Sequence, residues 1–141
     1  MPDFPAFDHN DAWRIGSTLV ARCQEEQLSV TITIHLGCQR VFHAALPGTS
    51  ADNDDWVMRK TRIVQRFDRS SHEVGQTYVA DDTLMFLAAF GLSAADYAPT
   101  GGAVPIRVNG TTVGVLAVSG LTSIDDHNLA VAALSTEGVP S

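Results

Sequence analysis

Between residues 28 and 36, apolar and polar side chains alternate without a break. Leu28, Val30, Ile32, Ile34 and Leu36 fall on one face, and Ser29, Thr31, Thr33 and His35 on the other. A period of two is the mark of a pleated strand with one face buried, and no helix gathers these five apolar residues on one side. The chain must therefore contain a sheet whose apolar face is covered. After Gly37, residues 40–46 continue as a second strand. The pairing that keeps the apolar faces together sets Phe42 against Ile34, Ala44 against Ile32 and Leu46 against Val30, because a slip of one residue would turn every side chain to the wrong face.

Helical spacing supplies the cover. Ala12, Ile15, Gly16, Leu19, Val20 and Cys23 form one apolar stripe behind an Asp8/Asp11 capping pair, with Gly16 placed for close approach to a sheet. A polar run, residues 48–55, leads into a long helix expected to start near Asn53 or Asp54. Trp56, Lys60, Ile63 and Phe67 make one stripe of it, and Arg59, Arg62, Arg66 and Arg69 another. A further helical pattern, residues 83–90, follows Asp81 and Asp82 and stops at Gly91. Asn109-Gly110 joins strands at 104–108 and 112–119 through a two-residue turn of positive φ. Pro105, which cannot donate to a ladder, belongs at an edge or a strand beginning. Ser123 and Asp126 have capping-box spacing ahead of a last helix carrying Leu129, Val131, Ala132 and Leu134. The order helix, hairpin, helices, hairpin, helix predicts a single α/β (α+β) domain over residues 1–141, of the size at which one core is the rule.

A net charge of -7 argues against nucleic acid as a partner, since such binding rests on lysine and arginine neutralising phosphates. No stretch reaches the roughly 20 apolar residues of a membrane span, and residues 1–10 lack a basic then apolar leader, so a cytoplasmic protein is expected. Cys23 and Cys38 belong to no metal-ligand spacing and are expected as reduced, buried thiols. No metal site is expected.

The segments Asp52-Asn53-Asp54-Asp55-Trp56, Arg59-Lys60, Ser70-Ser71, Gly101-Gly102 with Pro105-Ile106, and Val118-Ser119-Gly120-Leu121 followed by Asp125-Asp126-His127 form a signature. Through them nearly the whole chain resembles a branch of uncharacterised proteins within the haem-degrading-domain superfamily, related to HbpS-like and GlcG-like proteins. The resemblance implies a profilin-like fold, with a central antiparallel sheet and helices on both faces. It also implies homo-oligomerisation and haem or another tetrapyrrole as the ligand class. At Thr100 the chain departs from the histidine usual in that branch, and at Val104 from phenylalanine.

Four groups are candidate sites. The hairpin register puts His43 opposite Thr33 and diagonal to His35, a pair able to ligate a metal or haem iron or simply to lie on a covered polar strand face. The turn with Ser119, Gly120 and Ser123 meets a helix N-terminus, where an anion is favoured unless Asp125 and Asp126 cap it themselves. The arginines 59, 62, 66 and 69, with Trp56, are suited to an anion or to subunit contacts. Tyr97, Thr100, Gly101 and Gly102 form a loop able to close over a pocket or to turn into a strand. The reading is a homo-oligomeric small-ligand-binding domain. One alternative is a haem-degrading enzyme, for which His35, His43 and His72 are the available axial ligands; the other is a scaffold without ligand.

Overall fold

The computed structural model describes residues 2–78, 82–135 and 139–140. The elements run β1 (Pro2–Phe4), α1 (His9–Glu25), β2 (Thr31–Leu36), β3 (Gln39–Ala45), α2 (Ala51–Phe67), α3 (Ser71–Tyr78), α4 (Thr83–Ala89), β4 (Ala103–Val108), β5 (Thr111–Ser119), α5 (Ser123–Ser135) and β6 (Val139–Pro140). The strands form one sheet in the order β3-β2-β5-β4-β1-β6. Ile34 pairs with Phe42, Ile32 with Ala44 and Thr33 with His43, which is the register that the alternation demands. The Leu46 amide donates to the Val30 carbonyl beyond the ladder. Asn109 and Gly110 both take positive φ, 49° and 80°, as the tight hairpin turn requires.

The expected central antiparallel sheet is formed by β3, β2, β5 and β4. At its edge β1 runs parallel to β4, so the full sheet is mixed; three residues beginning at a proline carry too little periodicity to announce that strand. Pro105 lies within β4, between β5 and the β1 side, at a position that β1 does not reach. Its absent N–H therefore interrupts no ladder bond. α2 begins at Ala51, not at Asn53 or Asp54. Ser50 is its N-cap, and Asn53 completes the capping box by accepting the Ser50 amide at 3.0 Å. α4 is capped by Asp82, whose carboxylate accepts from Leu84 N and Met85 N; Asp81 lies outside the described residues. α5 is entered one residue earlier than expected, with Thr122 Oγ1 accepting from Asp125 N. Cys23 is buried as expected, but Cys38, in the β2–β3 turn, is exposed.

The two faces of the sheet differ. Ala12, Ile15, Leu19 and Cys23 of α1 and Leu129, Ala130 and Leu134 of α5 pack on Val30, Ile32, Ile34, Val104, Ile106, Leu116 and Val118. Each fully buried large aliphatic side chain there contributes roughly 1.5–3 kcal/mol. On the opposite face α2 lays Val57 and Val64 over Ala103, Val115 and Ala117, beside the buried Thr31, Thr33 and His35. The outer side of α2 carries α3 and α4 through Ile63, Val74, Phe86 and Leu87. Among the described residues no helix is long and apolar enough to cross a membrane.

Close approach of α1 to the sheet depends on Gly16, where an added Cβ would stand 2.7 Å from three atoms of the Phe42 ring. Alanine would gain about 1 kcal/mol of helix propensity, against roughly 1–3 kcal/mol for overpacking a buried aromatic. Gly16→Ala is thus expected to lower unfolding free energy in urea by about 1 kcal/mol, and Gly16→Ala with Phe42→Leu to recover part of it. A more stable single variant would contradict this packing.

Candidate functional site

Where β5 leaves the sheet, the first half of α2, the turn before α5 and the loop before β4 enclose a cleft of about 360 Å³. Asp52, Asn53, Trp56 and Lys60 line it from α2, Thr100 from the loop, and Ser119, Gly120, Leu121, Ser123 and Asp126 from the turn and α5. Of the residues singled out from sequence, the cleft brings together Trp56, Thr100, Ser119, Gly120 and Ser123.

Its floor is an ion pair. Lys60 is 4% exposed and Asp126 1%. Lys60 Nζ donates to Asp126 Oδ2 and to the Val118 carbonyl, each at 3.1 Å. The same carboxylate accepts from the backbone N–H of Leu121 at 2.9 Å and of Gly120 at 3.4 Å. Burial pushes the lysine below its ordinary 10.5, and the attraction and hydrogen bond of Asp126 oppose that shift. Asp126 is therefore more than a helix cap, since it joins α5, the exit of β5 and α2. Gly102, at φ 142°, takes a conformation disfavoured for other residues, and a Cβ there would stand 2.7 Å from Lys60 Nζ.

The rim is ordered from α2. Asn53 Nδ2 donates to Ser119 Oγ at 3.2 Å, the Trp56 indole N–H donates to Asp52 Oδ2 at 3.2 Å, and the Arg59 guanidinium lies 4.2 Å from the Trp56 ring centre. The other arginines of the stripe are engaged elsewhere. Arg62 donates to the Asp96 carbonyl at 3.1 Å, Arg66 reaches the Phe90 carbonyl at 3.5 Å, and Arg69 lies over the Tyr78 ring. Arg62 and Arg66 thus fasten α2 to the segment beside it, and Arg69, just beyond the end of α2, meets α3, all away from the cleft.

Tyr97 turns from the cleft to pack on the cluster of Ile63, Val74, Phe86 and Leu87. Gly101 and Gly102 adjoin the cleft without lining it: a Cβ at Gly101 would stand 3.1 Å from His127 Cβ. His35 is buried beneath α2, its Nδ1 without a hydrogen-bond partner among the described residues, while the exposed His43 stands 3.7 Å from Asp54. Neither lines the cleft. His72 instead stacks on His127, ring centres 4.6 Å apart. Among the described residues no three His, Cys, Asp or Glu side chains converge as a metal site.

Sequence reasoning missed Lys60, assigning it to the Trp56 stripe. One signal was available: Lys60 is the sole lysine of the sequence, every other permanently charged basic side chain being arginine. Removing Asp126 alone would strand a buried charge, a loss of about 3–5 kcal/mol, whereas removing both partners in favour of apolar groups is often close to neutral. Asp126→Ala is expected to lose about that much in urea unfolding at pH 7, and adding Lys60→Met to restore most of it. Simple additivity of the two losses would show that the pair is not coupled.

Two histidines set a pH dependence. Burial lowers His127 below the ordinary 6.5, helped by the neighbouring His72. Burial likewise lowers His35, helped by Arg40. Both take up protons more readily unfolded, so their contribution is present above about 6.5 and is lost as pH falls through that value toward the folded-state values. The urea midpoint should fall between pH 7 and pH 5, with a shallower fall in His127→Gln. An unchanged slope in that variant would remove His127 from the account.

The family described as haem degrading protein HbpS-like matches residues 7–135. The UPF0303 protein of Streptomyces coelicolor is 43% identical over 132 residues, covering 93% of this chain and 83% of the relative. That of Rhizobium leguminosarum bv. trifolii is 46% identical over 133 residues, covering 94% and 79%. Among solved structures, the Ybr137w protein aligns with a TM-score of 0.83 at 28% identity, over 92% of this chain and 77% of that one. The PduOC:haem complex aligns at 0.79 with 18% identity, over 96% and 99%, and HbpS at 0.74 with 15%, over 98% and 94%. At such identities the last two show a shared fold alone. The chain therefore belongs to the HbpS-like haem-degrading-protein family and, within it, to the UPF0303 proteins.

Proposed function

We propose that this chain is a homo-oligomeric ligand-binding domain whose cleft takes a small organic molecule bearing a carboxylate or other oxygen acceptor. The observation that carries the reading is that Thr100, Ser119 and Ser123 line one cleft together with the buried Lys60–Asp126 pair. The cleft volume, about 360 Å³, lies in the range of roughly 300–1,000 Å³ typical of small-ligand sites. Self-association is supported by the exposed Leu84 and Met85 on α4, since adjoining apolar side chains left in water favour a covering surface.

A tetrapyrrole is the specific candidate that the family suggests, and the PduOC relative is described with haem bound. The residues here fit only part of such a molecule. Hydroxyl donors suit propionates and Trp56 suits a ring face, but among the described residues no imidazole, thiolate or thioether lines the cleft. Iron would gain no such axial ligand there, and Thr100 brings a hydroxyl to the cleft. The geometry supports binding through the organic periphery and gives no step of haem breakdown.

Titration of the apo-protein with haem and with iron-free protoporphyrin tests this, the oligomeric state being recorded in the same samples. Comparable affinities are expected. Ser119→Ala should weaken both about five-fold, the loss of roughly one hydrogen bond of about 1 kcal/mol, while His35→Ala and His43→Ala leave them unchanged. A strong preference for haem that vanishes in a histidine variant would restore iron ligation. Binding no tighter than to an unrelated acidic protein would end the tetrapyrrole reading.

A further inference from the structure

We propose that Lys60 captures an aldehyde or ketone at the floor of the cleft as an imine. The inference rests on the cleft being the ligand site, and it names the reactive class of the ligand. Lysine is used nowhere else in the chain. If the α2–β5–α5 junction needed only a cation, the forked guanidinium would serve a carboxylate and a carbonyl at least as well; what arginine cannot supply is a nucleophilic amine. The structure uses two of the three N–H groups of Lys60, on Val118 and Asp126, while the side chain lines the cleft. Desolvation favours the neutral amine, as in other lysines that form imines.

The step balances with the groups present. Asp126 takes a proton from the ammonium, and the freed Nζ lone pair attacks the carbonyl carbon. A C–N bond forms as the C=O π pair moves to oxygen, and the Ser119 hydroxyl, which lines the same cleft, has its hydrogen free to donate to that oxygen because its Oγ accepts from Asn53. Proton transfers from nitrogen, by way of Asp126, to that oxygen turn it into a leaving water. The C–O bond then breaks with its electron pair, and the nitrogen lone pair closes the protonated imine. An ammonium and a carbonyl become an iminium and water, with nothing oxidised or reduced.

The test uses benzaldehyde with cyanoborohydride, which reduces an imine to a stable secondary amine, followed by intact mass and peptide mapping of the wild-type protein. Sodium benzoate is titrated in parallel, with amide shifts of Ser119 and Gly120 read by NMR. The chain offers only Lys60 and its α-amino group as amines. Expected is an adduct on Lys60, formed roughly ten times faster than on the α-amino group and absent from Lys60→Arg. Asp126→Asn should slow it at every pH, whereas a carboxylate that only raises the lysine by its charge would, on removal, leave more neutral amine and speed it. Benzoate shifts in the cleft without an adduct on Lys60 would overturn the covalent inference and leave the binding reading standing. Neither shifts nor adduct would overturn both. Because the deciding adduct is mapped on the wild-type chain, a variant that fails to fold does not blunt the test.

Discussion

An ammonium and a carboxylate, each almost sealed from water and 3.1 Å apart, hold the functional end of this molecule together. Neither group could stay charged there alone, since an isolated ion loses several kcal/mol of hydration on burial. Three segments distant in sequence must therefore meet at once: the third turn of α2, the exit of β5 and the first turn of α5. The backbone amides of Gly120 and Leu121 complete the carboxylate shell. The cleft is the space that those three segments leave between them, and its shape follows from the pair.

The asymmetry of the sheet prepares that junction. The face under α1 and α5 is a dry aliphatic core, able to fix the strands without help. The face under α2 carries threonines, a histidine and small alanines, which tolerate polar neighbours and let α2 lie close. The arginines of α2 act on its far side, where Arg62 and Arg66 hold carbonyls of the segment between α4 and β4. That segment leads on to Thr100. An arginine stripe resembling an anion site is thus, within one chain, a set of struts that position the cleft wall.

How much of this was legible depended on range. Alternation fixed β2 and its register with β3, and Asn109-Gly110 fixed the second hairpin, because both signals lie within a few residues. The short α3, Ser-His-Glu-Val-Gly-Gln-Thr-Tyr, has no repeated apolar stripe and a glycine inside it, and β1 is only three residues long; both exist through tertiary contacts. Ser119 and Gly120 drew attention through the Val118-Ser119-Gly120-Leu121 segment, Ser123 through the helix start that follows it, and Thr100 through the loop before the paired glycines. Tyr97 was misplaced because a loop residue reads as exposed until the cluster of Ile63 and Phe86 is known to lie beneath it. Lys60 was hidden by helical periodicity, which assigns a face to a residue but not a partner 66 positions away.

The shared carboxylate has a consequence for descent. Position 126 serves one side-chain cation and two backbone amides, whereas position 60 serves one carboxylate and one carbonyl. A lineage that replaced the aspartate first would pass through a form with a stranded ammonium, while one that replaced the lysine first would keep a carboxylate still satisfied by the turn. Divergence at this junction therefore has a preferred order, lysine before aspartate, and related chains without the lysine should retain the aspartate more often than the reverse.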